Sequence, residues 1–488
     1  MKFSKYLRFV TFVLATQFLV FSQAKAGHEK IEIVILHTND MHAKIDNFAK
    51  LAYLADSLRK EHPFVFLVSA GDNFTGNPVV DMVADKGYPM IDLMNQCGFN
   101  VSAMGNHEFD LGMEFLNKRF EQARFPFICC NMDATSTILK QPRPYFEFPA
   151  GKDLKVIMLG VLELGDNGIP DSHPSKMTGI KFTDGITAAK QYTDLKNRNT
   201  VFIALSHFGI QGDVKLAKAM PELDMIIGGH SHTLIDTSMI VNGVMITQVG
   251  SNLKYVGKAT LVVENGHVIS RREEVIPMSK IKGSDPKIQK LIDQYNTNGE
   301  LKRVVATTDK GLDGYDELGS MMTDAIVNQM KVDFAFVNRG GIRISSLPAG
   351  DIRMNDIYKL DPFGNQVVLF TMSLKEIQSL ICYSFAHEKG IDLEVSGMSY
   401  NLITDSTHQC LSVEMRDPAG NPLDESKVYK VGMNSYMAAS YHFDHKDAGS
   451  TLNTTTAQAL IDYLTAVKKV DYKGIKRIRM TRVDKPKK

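Results

Sequence analysis

The sequence predicts an α/β protein with two domains. From about residue 30 to residue 275, short apolar strands alternate with stretches of helical spacing, which is the pattern of an α/β domain. A segment rich in proline and glycine then breaks this pattern, and a second alternation of helices and strands starts after residue 303. The length of 488 residues accommodates two such domains.

Composition and charge argue against a nucleic-acid-binding protein. Hydrophobic residues make up 44% of the chain and charged residues 23%, as in an ordinary globular protein. The formal net charge is +1, with acids and bases interspersed along the chain. A protein that binds a nucleic acid polymer through a broad basic surface would carry a larger positive charge.

The first 26 residues have the pattern of a secretory signal. Lys2, Lys5 and Arg8 are followed by an apolar stretch at residues 9–21 and by a small-x-small cleavage site at residues 24–26. This apolar stretch is too short to span a bilayer comfortably. We therefore expect cleavage after Ala26, export to the periplasm or the medium, and no stable membrane anchor.

In the region after the signal, each predicted strand leads into polar residues. Apolar runs at residues 31–36, 64–68, 201–205 and 225–227 predict buried strands, and Val101 precedes another polar block. Between the strands, leucines recur at helical spacing in residues 49–60, and residues 113–123 have a similar pattern. Polar residues at strand ends are where α/β proteins commonly place their sites.

Residues 275–303 are predicted to connect the domains. Asp285 and Pro286 are typical of a helix start, and the apolar spacing continues to Tyr295 before Asn298 and Gly299. We place a first domain at residues 27–280, a linker helix at 281–303 and a second domain at 304–488. The elements predicted in the second domain are helices at residues 318–329, 374–388 and 457–468, and strands at residues 333–337, 366–372 and 428–434.

The five cysteines do not predict a disulfide framework, because their number is odd and small for this length. We favour buried free thiols, and a single bridge stays open in an oxidising compartment. The cysteines are Cys97, Cys129, Cys130, Cys382 and Cys410.

Five short blocks carry metal-ligand residue types, mostly directly after an apolar run. They occur within about two hundred residues and mix imidazole, carboxylate and amide donors without thiolates. Such a set predicts a site for two divalent ions that hydrolyses a phosphoester. The donors suit zinc, manganese or iron, and we expect zinc or manganese. The candidate ligands are Asp40, His42, Asp72, Asn106, His207, His230 and His232.

Spacing within the blocks suggests how these side chains converge. Asp40 and His42 are two residues apart, as are His230 and His232. In an extended segment this spacing puts both side chains on one side, so each pair would reach the same metal cluster. His37 would face the other way, and we interpret it as a packing residue or as one that supports a ligand from behind.

His107 and Asp110 are predicted to form a catalytic dyad. They are three residues apart at an expected helix start, so their side chains can meet. Asp110 would fix the imidazole tautomer and favour its charged form. A protonated His107 would then stabilise the transition state or the leaving oxygen. The alternative is that Asp110 only caps the helix.

The blocks resemble the motifs of the metallophosphoesterase superfamily, D-x-H, G-D, G-N-H-E, an isolated H, and G-H-x-H. Residues 36–40, 105–110 and 205–207 resemble secreted 5'-nucleotidases and UDP-sugar hydrolases more narrowly. Residues 338–343 and 361–365 resemble motifs of that family's C-terminal domain. The resemblance implies a catalytic β-sandwich flanked by helices, followed by an α/β domain that binds the nucleotide.

The same resemblance implies a role for each candidate residue. One metal would take Asp40, His42, Asp72 and His232, and the other would take Asp72, Asn106, His207 and His230. His107 and Asp110 would be catalytic. The implied substrate-binding residues are Asn338, Arg343, Phe363, Asn365 and Tyr436, with Arg343 on the phosphate and the two aromatic rings on the base.

Three departures from the family pattern concern the substrate. His442 stands at the position of a ribose-binding aspartate, and the region near Leu312 lacks an arginine that some relatives have. His232 replaces an amide that is found in close nucleotidases. These differences leave the hydrolytic residues intact but weaken the inference of a strict preference for nucleoside monophosphates.

We expect an exported phosphohydrolase that acts as a 5'-nucleotidase, in which a hydroxide between the two metals attacks a small nucleotide. Cleavage of UDP-sugars or of 2',3'-cyclic nucleotides at the same site is the first alternative. A catalytically silent binding protein is a remote alternative, because such a protein would be expected to have lost ligands or the dyad.

Overall fold

The computed structural model describes residues 30–165, 167–297 and 299–483. The predicted signal segment lies outside these residues, as does Asn298 at the predicted end of the linker helix. Within the described ranges, no helix is long and apolar enough to cross a membrane.

The N-terminal half is built on two six-stranded sheets. Its strands, in chain order, are β1 (Lys30–Thr38), β2 (Val65–Ser69), β3 (Val101–Ala103), β4 (Phe127–Ile128), β5 (Met132–Asp133), β6 (Tyr145–Pro149), β7 (Lys155–Leu162), β8 (Lys181–Phe182), β9 (Thr200–His207), β10 (Met225–Ile227), β11 (Met239–Val241), β12 (Val244–Thr247), β13 (Tyr255–Glu264) and β14 (His267–Pro277). The first sheet has the order β14-β13-β1-β2-β3-β4 and the second β11-β12-β10-β9-β7-β6, while β5 pairs with β8.

The central strands carry continuous apolar runs, and both of their faces are buried. In β1, Ile33 and Ile35 pack in the core between the two sheets, whereas Val34 and Leu36 pack under helices on the outer face. Strand β9 divides in the same way, with Ile203 between the sheets and Phe202 on its outer face. Alternate residues of one strand therefore serve two cores.

Helices cover both outer faces, which confirms the predicted β-sandwich flanked by helices. The predicted helices at residues 49–60 and 113–123 are present within one residue of the predicted bounds. The helices of this half are α1 (Phe48–Glu61), α2 (Pro78–Asp81), α3 (Tyr88–Cys97), α4 (Met113–Gln122), α5 (Gly185–Ala189) and α6 (Gly209–Ala219).

The predicted linker helix is α7 (Pro286–Tyr295), which is shorter than its predicted segment. The Asp285 carboxylate caps it by accepting hydrogen bonds from the backbone N–H groups of Lys287 and Ile288, at 2.8 and 2.9 Å. Ile288 and Ile292 are buried in the same core as α1. By its packing, α7 therefore belongs to the first half of the molecule.

The C-terminal half is a second α/β unit. Its strands are β15 (Val304–Thr308), β16 (Leu312–Asp313), β17 (Phe334–Asn338), β18 (Ser346–Leu347), β19 (Gly350–Arg353), β20 (Gln366–Ser373), β21 (Leu393–Ser396), β22 (Ser399–Thr404), β23 (Cys410–Arg416), β24 (Val428–Asn434), β25 (Ser450–Thr455) and β26 (Ile478–Arg482). Its helices are α8 (Gly314–Met330), α9 (Met354–Leu360), α10 (Leu374–Glu388), α11 (Ser435–Ser440) and α12 (Thr456–Val467). A five-stranded sheet in the order β21-β17-β24-β20-β25 forms its centre, and β23-β22-β26 form a smaller sheet.

Short 3-10 helices complete the described structure. They are Asn106–Phe109, Pro174–Met177, Lys190–Leu195, Met278–Lys280, Glu300–Lys302 and Arg339–Gly341.

One disulfide joins Cys382 on α10 to Cys410 on β23, 28 residues apart in sequence. The preference for free thiols is therefore wrong for this pair, and the bridge that the sequence left open is present. No spacing rule marks the pair, because it depends on how α10 packs against the small sheet. Cys97 and Cys129 are buried free thiols, as predicted, and Cys130 is partly buried.

Candidate active site

The carboxyl ends of five strands bring the predicted ligands to one place. Asp40, Asp72 and Asn106 follow the parallel strands β1, β2 and β3 of the first sheet. His207 ends β9, and His230 follows the parallel strand β10 of the second sheet. Because the sheets pack face to face, the loops after these strands meet at one edge of the sandwich.

One group of ligand atoms surrounds His42. Its Nε2 lies 3.0 Å from Nε2 of His232 and 3.9 Å from Oδ2 of Asp72. The Nε2 of His232 is in turn 3.3 Å from Oδ1 of Asp40. Asp40, His42 and His232 offer ligand atoms that all lie within 4.8 Å of one another, close enough to hold one cation.

A second group surrounds His207. Its Nε2 lies 3.2 Å from Oδ2 of Asp72 and 3.2 Å from Oδ1 of Asn106. The same Asn106 oxygen is 3.1 Å from Nδ1 of His230. The Oδ2 atom of Asp72 therefore lies beside both groups, where a carboxylate shared by two cations is required.

Hydrogen bonds behind the ligands turn their donor atoms inward. Nδ1 of His207 donates to the carbonyl of Ala70 at 2.7 Å, which leaves the Nε2 lone pair facing the site. The amide nitrogen of Asn106 donates to the carbonyl of Asp171 at 2.8 Å, so its oxygen faces the histidines. The backbone N–H of His107 holds Oδ1 of Asp72 at 2.9 Å. The nitrogen and oxygen lone pairs of these side chains point at one another and would repel without a positive charge between them. The residues therefore fit a pair of divalent cations.

The backbone at the ligands is not extended, and the predicted reason for their convergence is wrong. Asp40, His42, His230 and His232 have φ values of 49°, 45°, 75° and 52°. These left-handed conformations are uncommon outside glycine and concentrate at functional sites. The paired ligands converge through tight turns at strand ends, where the period-two rule for strands does not apply.

Gly71 allows Asp72 to approach His207. Its φ is +91°, and a Cβ atom there would lie 2.8 Å from the backbone nitrogen of Gly105 and 2.9 Å from Nδ1 of His207. A larger residue would therefore be strained and would also push the metal-ligand loops apart.

The predicted dyad is formed. Nδ1 of His107 lies 2.7 Å from Oδ2 of Asp110. Thr75 donates to the same oxygen at 2.6 Å, and Ser172 donates to Oδ1 at 3.0 Å. Burial lowers the pKa of His107, but the neighbouring Asp110 and Asp72 outweigh burial and raise it to about 9. The Asp110 carboxylate thus contacts side chains of the site, which disfavours a role limited to helix capping.

Two further buried residues of the five blocks, His37 and Glu108, have contacts of their own. His37 lies 3.0 Å from Oε1 of Glu273, away from the ligand groups, in keeping with a packing role. Glu108 was not singled out from the sequence, although it stands in the third block. Its carboxylate accepts hydrogen bonds from the backbone N–H groups of Asp72 at 3.0 Å, Asn73 at 2.8 Å and Gly105 at 2.6 Å. It therefore ties the Asp72 turn to the Asn106 block.

A cleft of about 410 Å³ between the two halves contains the dyad on one wall. The other wall carries every predicted substrate-binding residue, namely Asn338, Arg343, Phe363, Asn365 and Tyr436.

Two of these side chains reach the first half of the molecule directly. The Phe363 ring stacks on the imidazole of His107, with centroids 5.6 Å apart and planes at 15°. Nη2 of Arg343 lies 3.4 Å from Nε2 of His42. His442 does not line this cleft; it lines a neighbouring cavity of about 390 Å³ that shares Tyr436 and extends to His230.

Comparison with known families agrees with this architecture. The family model described as Calcineurin-like phosphoesterase matches residues 33–234. The model described as 5'-nucleotidase, C-terminal domain, matches residues 297–443. The first match contains all seven candidate metal ligands, and the second contains the five candidate substrate residues.

Individual relatives match most of this chain, so the matches include both halves. The chain is 28% identical over 527 residues to a 5'-nucleotidase of Vibrio cholerae, covering 90% of this chain and 91% of the relative. It is 26% identical to the trifunctional nucleotide phosphoesterase protein YfkN of Bacillus subtilis, covering 84% of this chain. The chain spans only about a third of the length of that relative, 32%.

A solved structure shows the same fold over nearly its whole length. The crystal structure of a 5'-nucleotidase precursor from Thermus thermophilus superimposes with a TM-score of 0.82 at 24% identity, covering 92% of this chain and 99% of that one. The two family models thus account for both halves of the fold: residues 33–234 belong to the Calcineurin-like phosphoesterase family, and residues 297–443 form a 5'-nucleotidase C-terminal domain.

Proposed function

We propose that this protein releases phosphate from nucleoside 5'-monophosphates, using two divalent ions, zinc or manganese. The observation that carries the proposal is the position of Asp72. Its Oδ2 lies between the two ligand groups, 3.2 Å from Nε2 of His207 and 3.9 Å from Nε2 of His42. The interdomain cleft with its dyad adjoins this point.

In this proposal each ligand group holds one ion. Asp40, His42 and His232 act with Asp72 at the first position. Asn106, His207 and His230 act with Asp72 at the second. When bound, such a pair of ions makes water nucleophilic and neutralises charge on the phosphoryl oxygens.

The other side chains would bind and orient the substrate. Arg343 lies close enough to His42 to hold a phosphoryl group against the metal groups. Nε2 of His107, which lies 4.0 Å from Oδ2 of Asp72, would present a proton to the leaving oxygen. Asp110 would keep that imidazole oriented and charged.

The nucleoside would lie in the cleft. The rings of Phe363 and Tyr436 line it, and aromatic faces grip a base without selecting which base it is. Asn338 and Asn365 line the same cleft and offer polar contacts to the sugar. We assign catalysis to residues 27–280 and nucleotide binding to residues 304–488, joined by residues 281–303.

One observation favours larger substrates as the second candidate. The cavity beside His442 shares Tyr436 with the cleft and reaches His230, so the cleft is not closed at this end. Such space would accept a UDP-sugar. A 2',3'-cyclic nucleotide remains an alternative through the same metal groups. A silent binding protein is disfavoured, because the seven candidate ligands and the proposed dyad are all present and lie close together.

We also propose that the protein is exported. The disulfide between Cys382 and Cys410 supports this, because such bonds form and persist in oxidising compartments. The signal pattern in the first 26 residues predicts the same destination.

The test is phosphate release from AMP and UMP by residues 27–488 with manganese or zinc added. We expect turnover that chelation abolishes and that Asp72→Asn removes. Asp153→Asn is the matched control, because Asp153 is an exposed carboxylate away from the site, and it should keep full activity. A metal-loaded protein that hydrolyses no phosphoester in a broad panel would refute the proposal.

A further inference from the structure

Two adjacent loop residues, Asp171 and Ser172, contact three separate parts of the site. The carbonyl oxygen of Asp171 accepts a hydrogen bond from the amide of Asn106 at 2.8 Å. The hydroxyl of Ser172 donates to Oδ1 of Asp110 at 3.0 Å. The carboxylate of Asp171 accepts a hydrogen bond from the hydroxyl of Tyr436, which belongs to the other half of the molecule.

Each contact fixes the orientation of a group that the proposed reaction uses. The amide of Asn106 can flip, and donation to the Asp171 carbonyl selects the orientation in which its oxygen faces His207 and His230. Ser172 and Thr75 each hold one oxygen of Asp110, so the carboxylate cannot rotate away from His107. Ser172 is 4% exposed, and its side chain is therefore held within packed surroundings.

The contact with Tyr436 depends on how the two halves dock. Tyr436 is on α11 of the C-terminal half, and its ring lines the cleft. Its hydroxyl reaches Asp171 only when that half lies against the first. Stacking on a base needs only the ring, so the hydroxyl is available for a different role.

We propose that Asp171 and Ser172 are positioning residues that link docking of the C-terminal half, through the Tyr436 hydroxyl, to the alignment of Asn106 and of the His107–Asp110 dyad. This inference rests on the hydrolytic function proposed above. It separates two roles of Tyr436: the ring binds the nucleoside, and the hydroxyl supports turnover.

The experiment compares Tyr436→Phe, Asp171→Ala and the double variant in the manganese-loaded protein, with AMP and with glycerol 3-phosphate as substrates. Tyr436→Phe keeps the ring, and Asp171→Ala keeps the carbonyl that holds Asn106. We expect each single variant to lower kcat about tenfold on both substrates, as for loss of a hydrogen bond to a charged group. The KM for AMP should stay within about twofold, since no contact to the nucleoside is removed.

The double variant distinguishes a linked pair from two independent effects. If the hydroxyl acts through Asp171, the double variant should be no slower than either single variant. Ser172→Ala should also lower kcat on both substrates while both manganese ions stay bound. Tyr383→Phe is the control, because it removes a hydroxyl from the neighbouring cavity on a ring that packs against His387 and Tyr441 of the C-terminal half, and it should leave both rates unchanged.

Three results would overturn the positioning role: unchanged kcat in an active protein, additive losses in the double variant, or a raised KM confined to AMP. The last would mean that Tyr436 acts only as a binding surface. A metal-loaded wild-type protein that is inactive on both substrates would instead overturn the proposed function, and this inference with it.

Discussion

At the scale of single residues, the sequence predicted which side chains come together but not the backbone that presents them. Residue types at strand ends predicted the seven candidates, and the structure brings them all to one edge of the sandwich. The left-handed turns at Asp40 and His42 were not predicted, because this conformation is uncommon even for aspartate and histidine, which adopt it more often than most other non-glycine residues. Asp171 and Ser172 were missed for a related reason: they belong to no spacing pattern, and their contacts exist only in the folded chain.

The first prediction at this scale concerns the pair His107 and Asp110. Asp110→Ala should lower kcat by about two orders of magnitude or more, because His107 would lose the partner that orients and charges it. Metal content should stay at two ions per chain, since Asp110 lies outside both ligand groups. Steady-state kinetics and elemental analysis measure the two quantities.

Glu114→Ala serves as the control for this variant, because Glu114 is an exposed carboxylate on α4, and it should behave as wild type. Normal turnover by Asp110→Ala, or loss of an ion, would exclude Asp110 from the dyad as proposed.

At the scale of elements, the strands and helices that sequence patterns predicted mostly begin and end within one or two residues of their predicted bounds, although many short strands were not predicted. Helix α10 and strand β24 match the predicted bounds at both ends, because each is a continuous apolar pattern with clear end signals. Strands such as β14 were not predicted, since their residues are largely exposed and follow no apolar period. The central strands are buried on both faces, so their sequences are continuous apolar runs that do not differ from one another. The order in which the strands pair could therefore not be predicted from the sequence.

The turn after β2 gives an element-scale prediction. Gly71→Ala should lower the free energy of unfolding by at least about 3 kcal/mol and weaken metal binding, because backbone strain adds to a clash with His207 and Gly105. Gly420 is the matched control: it has the same φ of +91° but no neighbouring atom within 4 Å of a built Cβ. Gly420→Ala should lower the free energy of unfolding by only about 1–2 kcal/mol. Equal effects in urea unfolding would refute the close approach at Gly71.

The loop that carries Phe363 is held to the start of α12 by a hydrogen bond from the Thr456 hydroxyl to the Asp361 carboxylate. We expect this carboxyl to titrate with a raised pKa. Burial raises the pKa of Asp361 to about 6, against hydrogen bonds from Thr456 and from the backbone of Phe363 that lower it. A carboxyl with a raised folded-state pKa binds its proton more tightly when folded. Its stabilising contribution is therefore present below the unfolded pKa of about 3.9 and is lost as pH rises through 6.

Asp361→Asn should remove that part of the pH dependence. Between pH 4 and pH 7, the wild-type protein should lose about 2 kcal/mol more free energy of unfolding than the variant. Urea unfolding at a series of pH values, with manganese in every buffer, measures the difference. Parallel curves for the two proteins would show that Asp361 is not a buried titrating group.

At the scale of the whole molecule, the cleft depends on docking of two separately predicted halves. The sequence assigned metal binding to the first half and nucleotide binding to the second, and their residues face each other across the cleft. The stacking of Phe363 on His107 and the approach of Arg343 to His42 were not predictable. They depend on the relative placement of domains, which local patterns do not encode.

The proposed export predicts the bonding state of the five cysteines. The denatured protein should show three reactive thiols before reduction and five after it, since Cys382 and Cys410 are bonded and the other three cysteines are free. Thiol titration in denaturant measures both numbers. Five reactive thiols in unreduced protein purified from an oxidising compartment would contradict the bridge.

The central claim is that two cations lie on either side of the Asp72 carboxylate. Anomalous diffraction from a crystal of the manganese-loaded protein tests it most directly. We predict two peaks about 3.5–4 Å apart, one among Asp40, His42 and His232 and the other among Asn106, His207 and His230. A map with no peak beside Asp72, or with peaks only elsewhere on the molecule, would contradict the account.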